Sequence, residues 1–162
     1  MANTYSQLYI HVVFAVKRRA SVIAKSWRDE LFQYITGIIT NKGQKLMIVN
    51  GVEDHIHILI GIKPDCNLSD LVRDIKANSS RWINEKKLVP GKFEWQNGFG
   101  AFSVGASQVN LICHYISVQE EHHHKTTFRE EYIDFLNHNE IEYKTEYLFE
   151  DIGAAPTELN IE

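Results

Sequence analysis

Residues 46–62 read Leu-Met-Ile-Val-Asn-Gly-Val-Glu-Asp-His-Ile-His-Ile-Leu-Ile-Gly-Ile. Two β-rich runs, Leu46 to Val52 and His55 to Ile62, are separated only by Glu53 and Asp54, a spacing that calls for an antiparallel hairpin. Side chains alternate between the two faces of a strand, so Ile56, Ile58, Ile60 and Ile62 turn to the core while His55 and His57 share the opposite face. Two imidazoles at i and i+2 can ligate one ion, because each offers a neutral nitrogen at a separation fixed by the backbone. Two partly exposed strand histidines with no ligand fit the same pattern, and the pair alone leaves both readings open.

Upstream of the hairpin, Leu8, Ile10, Val12, Phe14 and Val16 alternate with Tyr9, His11, Val13 and Ala15, the period of a strand buried on at least one face. Ser26 with Asp29 resembles a capping box, and Trp27, Leu31, Tyr34, Ile35, Ile38 and Ile39 follow at helical spacing until Asn41-Lys42-Gly43. Downstream, Asn67 or Ser69 can cap a helix that buries Leu68, Leu71, Val72, Ile75, Trp82 and Ile83 and stops before Pro90-Gly91. A short fourth strand, about residues 99–104, follows the turn Asn97-Gly98, and Ser107 can cap a third helix. Thr127 and Glu130 form a second capping box, opening a helix with Phe128, Tyr132, Phe135 and Leu136.

The order strand, helix, strand, strand, helix, strand predicts an α+β protein of the ferredoxin-like split βαβ type. It would have an antiparallel four- to five-stranded sheet with helices on one face and the other face free for a site. One domain over residues 1–150 is expected, with 151–162 a frayed tail of small residues. At 162 residues and 44% hydrophobic content the chain can build one core. Cys66 and Cys113 are isolated and read as packing residues in a reducing compartment. The apolar segment from Leu8 to Val16 precedes Lys17, Arg18 and Arg19, the wrong order for a secretory signal, and is too short to cross a bilayer. A cytoplasmic protein with no membrane partner is expected.

The net charge of -4 hides an uneven distribution. Residues 1–119 carry 14 Lys+Arg against 9 Asp+Glu, whereas residues 120–162 carry 3 against 12. The basic part includes Lys17, Arg18, Arg19, Arg73, Lys76 and Arg81, candidate contacts to nucleic-acid phosphates, although ordinary solvated charges would look the same.

In the third helix Val109, Ile112 and Ile116 can face the core, while Gln108, Leu111, Tyr115, Gln119 and His122 recur along a neighbouring stripe. Tyr115 and Gln119 lie one turn apart. The Gln119 amide oxygen could complete a set of two imidazoles and one oxygen with His55 and His57, suited to Mg²⁺ or Mn²⁺ acting as a Lewis acid rather than to structural Zn²⁺. The alternative is that Tyr115 is a packing aromatic.

Taken together, Asp54-His55-Ile56-His57, the strand Phe99-Gly100-Ala101-Phe102-Ser103-Val104, and Tyr115-x-x-x-Gln119-x-Glu121-His122-His123 resemble the single-tyrosine HUH transposases of bacterial insertion sequences, the insertion-sequence 200-like group. The likeness continues through Lys125-Thr126-Thr127-Phe128-Arg129-Glu130-Glu131-Tyr132. The resemblance implies a homodimer that binds single-stranded DNA hairpin ends of its element. It implies that Tyr115, on a catalytic helix, attacks a phosphodiester to give a 5′-phosphotyrosine and a free 3′ hydroxyl, with Mg²⁺ or Mn²⁺ held by His55, His57 and Gln119. It also implies that the tyrosine helix of one subunit completes the site of the other. Asp54 could orient a metal-bound imidazole and His122 could contact DNA or assist proton transfer, or they could serve a turn and a helix end. A non-catalytic hairpin-binding protein and a metal-dependent nuclease using water are the competing functions. Because His55 and His57 project off the core face, replacing His57 is expected to leave folding intact.

Overall fold

A computed structural model describes residues 4–122 and 127–142. The expected domain limit at residue 150 and the tail after it lie outside these residues. The strands are β1 (Leu8–Ala15), β2 (Lys45–Gly51), β3 (His55–Ile62) and β4 (Gly100–Val104). The helices are α1 (Lys25–Asn41), α2 (Leu68–Glu85), α3 (Val109–Ser117), α4 (Gln119–His122) and α5 (Phe128–His138). The sheet order is β2-β3-β1-β4 and each neighbouring pair is antiparallel. β3 therefore lies between β1 and β2, which α1 connects, as the split βαβ pattern requires.

The hairpin forms where the sequence places it, with Val52 donating its amide to the carbonyl of His55 at 3.1 Å. Gly51 is needed at this turn: a Cβ there would stand 2.4 Å from the His55 carbonyl oxygen, a backbone atom that cannot swing away. The β2–β3 register shifts between Leu46 and Ile48, an irregularity that strand alternation does not foretell.

One face of the sheet holds Val12, Phe14, Ile56, Ile58 and Ile60 against Trp27, Leu31, Ile35 and Ile39 of α1 and Leu71, Val72, Ile75 and Ile83 of α2. Asn67 caps α2 as expected, accepting the Asp70 amide at 3.1 Å, a contact worth about 1 kcal/mol. The capping role expected of Ser26 does not occur. α1 begins at Lys25 behind Ala24 with no side-chain cap. Its entry is fixed by tertiary bonds instead: the amides of Val22 and Ile23 both donate to the Glu53 carbonyl at 3.1 and 2.9 Å, and buried Arg28 donates to the Ile23 carbonyl at 2.8 Å. Ser107 likewise caps nothing. It sits in a 3-10 turn, Ala106–Gln108, and α3 starts behind Gln108 without a side-chain cap.

The second face, expected to be free, is covered. Val13, Ala15 and Phe102 form a smaller core with Phe128 and Leu136 of α5, backed by Tyr132, Ile133 and Phe135. Gly100 permits this docking, since a Cβ would meet the Tyr132 ring and hydroxyl at 2.8–3.1 Å. Thr127 caps α5, accepting the Glu130 amide at 3.2 Å. Among the described residues, no helix is long and apolar enough to cross a membrane.

Candidate metal and nucleophile site

The site lies under α5, on the second face. His55 and His57 project there together, as strand alternation requires, but both are fully buried rather than partly exposed. His55 stacks on Phe128 with ring centroids 4.0 Å apart. Burial changes the expectation that His57 can be removed without structural cost. Cutting it to alanine would remove a buried hydrogen-bond partner from its neighbours, a loss of about 1–3 kcal/mol for each group left short of a contact.

One of those neighbours is Glu131 of α5, which is only 3% exposed. Its Oε1 lies 2.8 Å from Nε2 of His57 and 3.6 Å from Nε2 of His55. Its Oε2 accepts the hydroxyl of Tyr115. A carboxylate so deeply buried is tolerable only because each oxygen has a polar partner. His55, His57 and Glu131 each direct one ligand atom into a common space, with those atoms all within 4.8 Å of one another.

The outer edges of both imidazoles are also engaged. Asp54 Oδ1 stands 2.7 Å from Nδ1 of His55. Nδ1 of His57 faces Nε2 of His11 at 2.9 Å. Burial, followed by the neighbouring His57, pushes the pKa of His11 down to about 3 despite an opposing effect of Glu131, so His11 is neutral near pH 7.

Tyr115 reaches this cluster within its own chain, its ring centroid 5.9 Å from that of His57 and 5.6 Å from that of Phe135. The amide of Asn50 on β2 donates to the carbonyls of Ile116 at 2.8 Å and Ser117 at 3.3 Å, which holds the end of α3 beside the hairpin. Burial, then the charge and hydrogen bond of Glu131, pushes the Tyr115 phenol well above its ordinary range, so it stays protonated at neutral pH.

Gln119 also reaches the site, though not along one continuous helix. α3 ends at Ser117, Val118 adopts a non-helical conformation, and Gln119 opens the separate turn α4. Its fully buried amide places Oε1 3.4 Å from Nε2 of His55, while Nε2 donates to the Tyr115 carbonyl at 3.3 Å. The side chain of His122 lies outside the described residues.

The basic candidates are divided. Lys17, Arg73, Lys76 and Arg81 line one groove between α2 and residues 92–99, on the α2 side of the sheet, whereas Arg18 and Arg19 do not line it. Much of this charge is already engaged. Lys17 pairs with Glu94 at 3.0 Å, Arg73 with Asp70 at 3.1 Å, and Arg81 bonds Asn78. The half-buried Lys76 ammonium donates to the carbonyls of Gln96 and Gly98 at 2.6 and 2.7 Å, and burial lowers its pKa. Lys76 thus fastens the loop before β4.

A family model described as Transposase IS200 like matches residues 4–119, well over half of the chain. The chain belongs to the IS200-like transposase family. The match includes the hairpin with His55 and His57 and extends through Tyr115 to Gln119, ending before Glu131. The ISDra2 transposase TnpA of Deinococcus radiodurans is 28% identical over 120 residues, covering 71% of this chain and 86% of that protein. Among solved structures, a candidate transposase from Deinococcus radiodurans R1 superposes with a TM-score of 0.60 at 24% identity, covering 74% of this chain and 95% of that one. A REP-associated tyrosine transposase bound to a REP hairpin superposes with a TM-score of 0.56 at 14% identity, covering 73% and 70%. At these identities the two structures speak for the fold of this IS200-like transposase.

Proposed function

We propose that this transposase cleaves and rejoins single-stranded DNA at the hairpin ends of an insertion sequence, through a 5′-phosphotyrosine on Tyr115. The observation that carries the proposal is the Tyr115 hydroxyl donating to Glu131 while the other oxygen of that carboxylate meets His57. A packing tyrosine does not need a buried carboxylate at its hydroxyl. A nucleophilic one does, because its proton must leave as the phenolic oxygen attacks.

In this reading Glu131 takes the phenolic proton as the Tyr115 oxygen bonds to phosphorus. The bond from phosphorus to the 3′ oxygen breaks, that oxygen takes up the proton that Glu131 received, and the fragment on the 3′ side of the break stays on Tyr115 through its 5′ phosphate. The exchange of one phosphate ester for another lets a 3′ hydroxyl reverse the step on a different strand. His55 and His57 would hold Mg²⁺ or Mn²⁺ through their Nε2 atoms, with Glu131 and Gln119 as oxygen donors, and the mixed nitrogen and oxygen set fits such a cation. A divalent ion there supplies Lewis-acid stabilisation of charge on the phosphate oxygens. Asp54 holds the Nδ1 edge of His55. Arg73 and Arg81, at the rim of the α2 groove, are proposed phosphate contacts, with Lys17 joining them once its pairing with Glu94 yields.

The test uses single-stranded DNA carrying the hairpins that flank the protein's own gene. Cleavage is expected with Mg²⁺ or Mn²⁺ and is expected to vanish with chelator or in His57→Gln, which keeps a polar side chain against Glu131. Cleavage that persists in chelator would remove the metal from the mechanism. The proposal includes a homodimer, as the family likeness implies. Since one chain holds both Tyr115 and the histidines, a mixture of Tyr115→Phe and His57→Gln is expected to be no more active than either variant alone. Recovery of activity on mixing would mean that subunits exchange α3.

A further inference from the structure

His11 belongs to no motif quoted above, yet it is 1% exposed and touches the site. Its position follows from register. His57 on β3 pairs with Val13 on β1, and His11, two residues before Val13, shares the same face of the sheet as a diagonal neighbour. The two rings lie within 27° of parallel with centroids 5.1 Å apart. That separation together with the 2.9 Å contact of Nε2 to Nδ1 means the rings meet edge to edge, along their planes, as a hydrogen bond requires. Phe135 meets His11 edge-on at 5.1 Å and Phe102 lies at 6.1 Å, which restricts the ring's movement.

Two ring nitrogens at this distance need one hydrogen between them. Two lone pairs would repel, and two N–H groups would clash. A neutral imidazole carries a single N–H, so the state of Nε2 on His11 dictates the state of Nδ1 on His57, and with it the state of Nε2 on His57. We propose that His11 is a positioning residue that sets the tautomer of His57, accepting its Nδ1–H so that Nε2 offers its lone pair to a cation. This inference rests on His57 being a metal ligand.

His11 differs from the partner of the other ligand. Asp54 is a carboxylate and favours a hydrogen on Nδ1 of His55 at all times. His11 can either accept or donate at Nε2. When it donates, Nε2–H of His57 is free to donate to Glu131 across the 2.8 Å contact. The same pair of rings therefore serves both arrangements without any change in net charge, which a carboxylate at position 11 could not do.

Three proteins, the wild type, His11→Phe and His11→Gln, are titrated with Mn²⁺ by calorimetry, and the His57 tautomer is read from imidazole ¹⁵N shifts of the Mg²⁺-loaded wild type. His11→Phe keeps an aromatic ring against Phe102 and Phe135 but has no acceptor, and its affinity for Mn²⁺ is expected to fall about 10- to 100-fold. His11→Gln, whose amide can accept or donate near the same place, is expected to recover most of that loss. A purely packing role predicts the opposite ranking. Wild-type affinity in a folded His11→Phe, or a His57 ring carrying its hydrogen on Nε2 with Mg²⁺ bound, overturns the inference. Should His11→Phe fail to fold, the wild-type ¹⁵N measurement decides alone. Absence of any Mn²⁺ binding by the wild type would overturn the ligand reading, and the role of His11 with it; binding by the wild type that His11→Phe retains in full would overturn only the latter.

Discussion

Tyr115→Phe is expected to abolish strand cleavage, with a loss on the order of 10⁴-fold or more, while the protein folds and binds hairpin DNA as before. The ring would still pack against His57 and Phe135, whose centroids stand 5.9 and 5.6 Å away. Only the attacking oxygen disappears, together with its hydrogen bond to Glu131. That leaves one buried carboxylate oxygen without its phenol, so a modest drop in thermal stability, about 1–3 kcal/mol, is expected beside the loss of activity. Cleavage assay, gel shift and thermal melt separate the three effects. Cleavage retained near the wild-type level would assign the attack to water or to another side chain.

Glu131→Gln carries the second large effect. A glutamine keeps the size and can still accept the Tyr115 hydroxyl, so folding is expected to survive, but an amide cannot take the phenolic proton. Cleavage is expected to fall about 10²- to 10⁴-fold, the usual span for loss of a general base. The same substitution removes the carboxylate charge that disfavours the phenolate, so Tyr115 is expected to titrate at lower pH than in the wild type. An ultraviolet titration reads this directly. A variant with an easier-to-ionise tyrosine and yet slower cleavage would mark Glu131 as a participant in the reaction. Unchanged cleavage would reduce it to a packing residue.

The hairpin and its two histidines were legible because strand alternation is a local property: the period of two in residues 55–62 assigns each side chain to a face before any tertiary contact is known. The element order likewise sufficed for the sheet topology. The helix starts misread at Ser26 and Ser107 show what local signals miss. α1 enters under the control of the Glu53 carbonyl, a contact from the distant hairpin turn. The break at Val118 has a similar origin, since Asn50 of β2 takes the carbonyls of Ile116 and Ser117 at the end of α3.

Glu131 was the main omission. It follows Glu130 in a segment whose acidity reads as a solvated tail, and its neighbour's capping role draws attention away from it. A usable signal was nevertheless present, because Phe128, Tyr132, Phe135 and Leu136 define the buried stripe of α5 and Glu131, three residues after Phe128, falls on it. A carboxylate on an apolar stripe calls for a partner. His11 carried the same kind of signal, a polar residue in line with Val13 and Ala15 on one face of a strand. Of the donors proposed from the sequence, Gln119 Oε1 comes within 3.4 Å of His55 Nε2, but the buried carboxylate grouped with His55 and His57 came from a helix beyond the tyrosine.

The central claim is that Tyr115 becomes covalently joined to DNA. Wild-type protein incubated with Mn²⁺ and a single strand bearing the hairpin end, then denatured and digested with protease, can be searched by mass spectrometry for a nucleotide-bearing peptide. The expected result is a 5′-phosphorylated nucleotide on the peptide containing Tyr115, with a free 3′ hydroxyl on the released fragment. Cleavage without any adduct, or an adduct on a peptide lacking Tyr115, would contradict it.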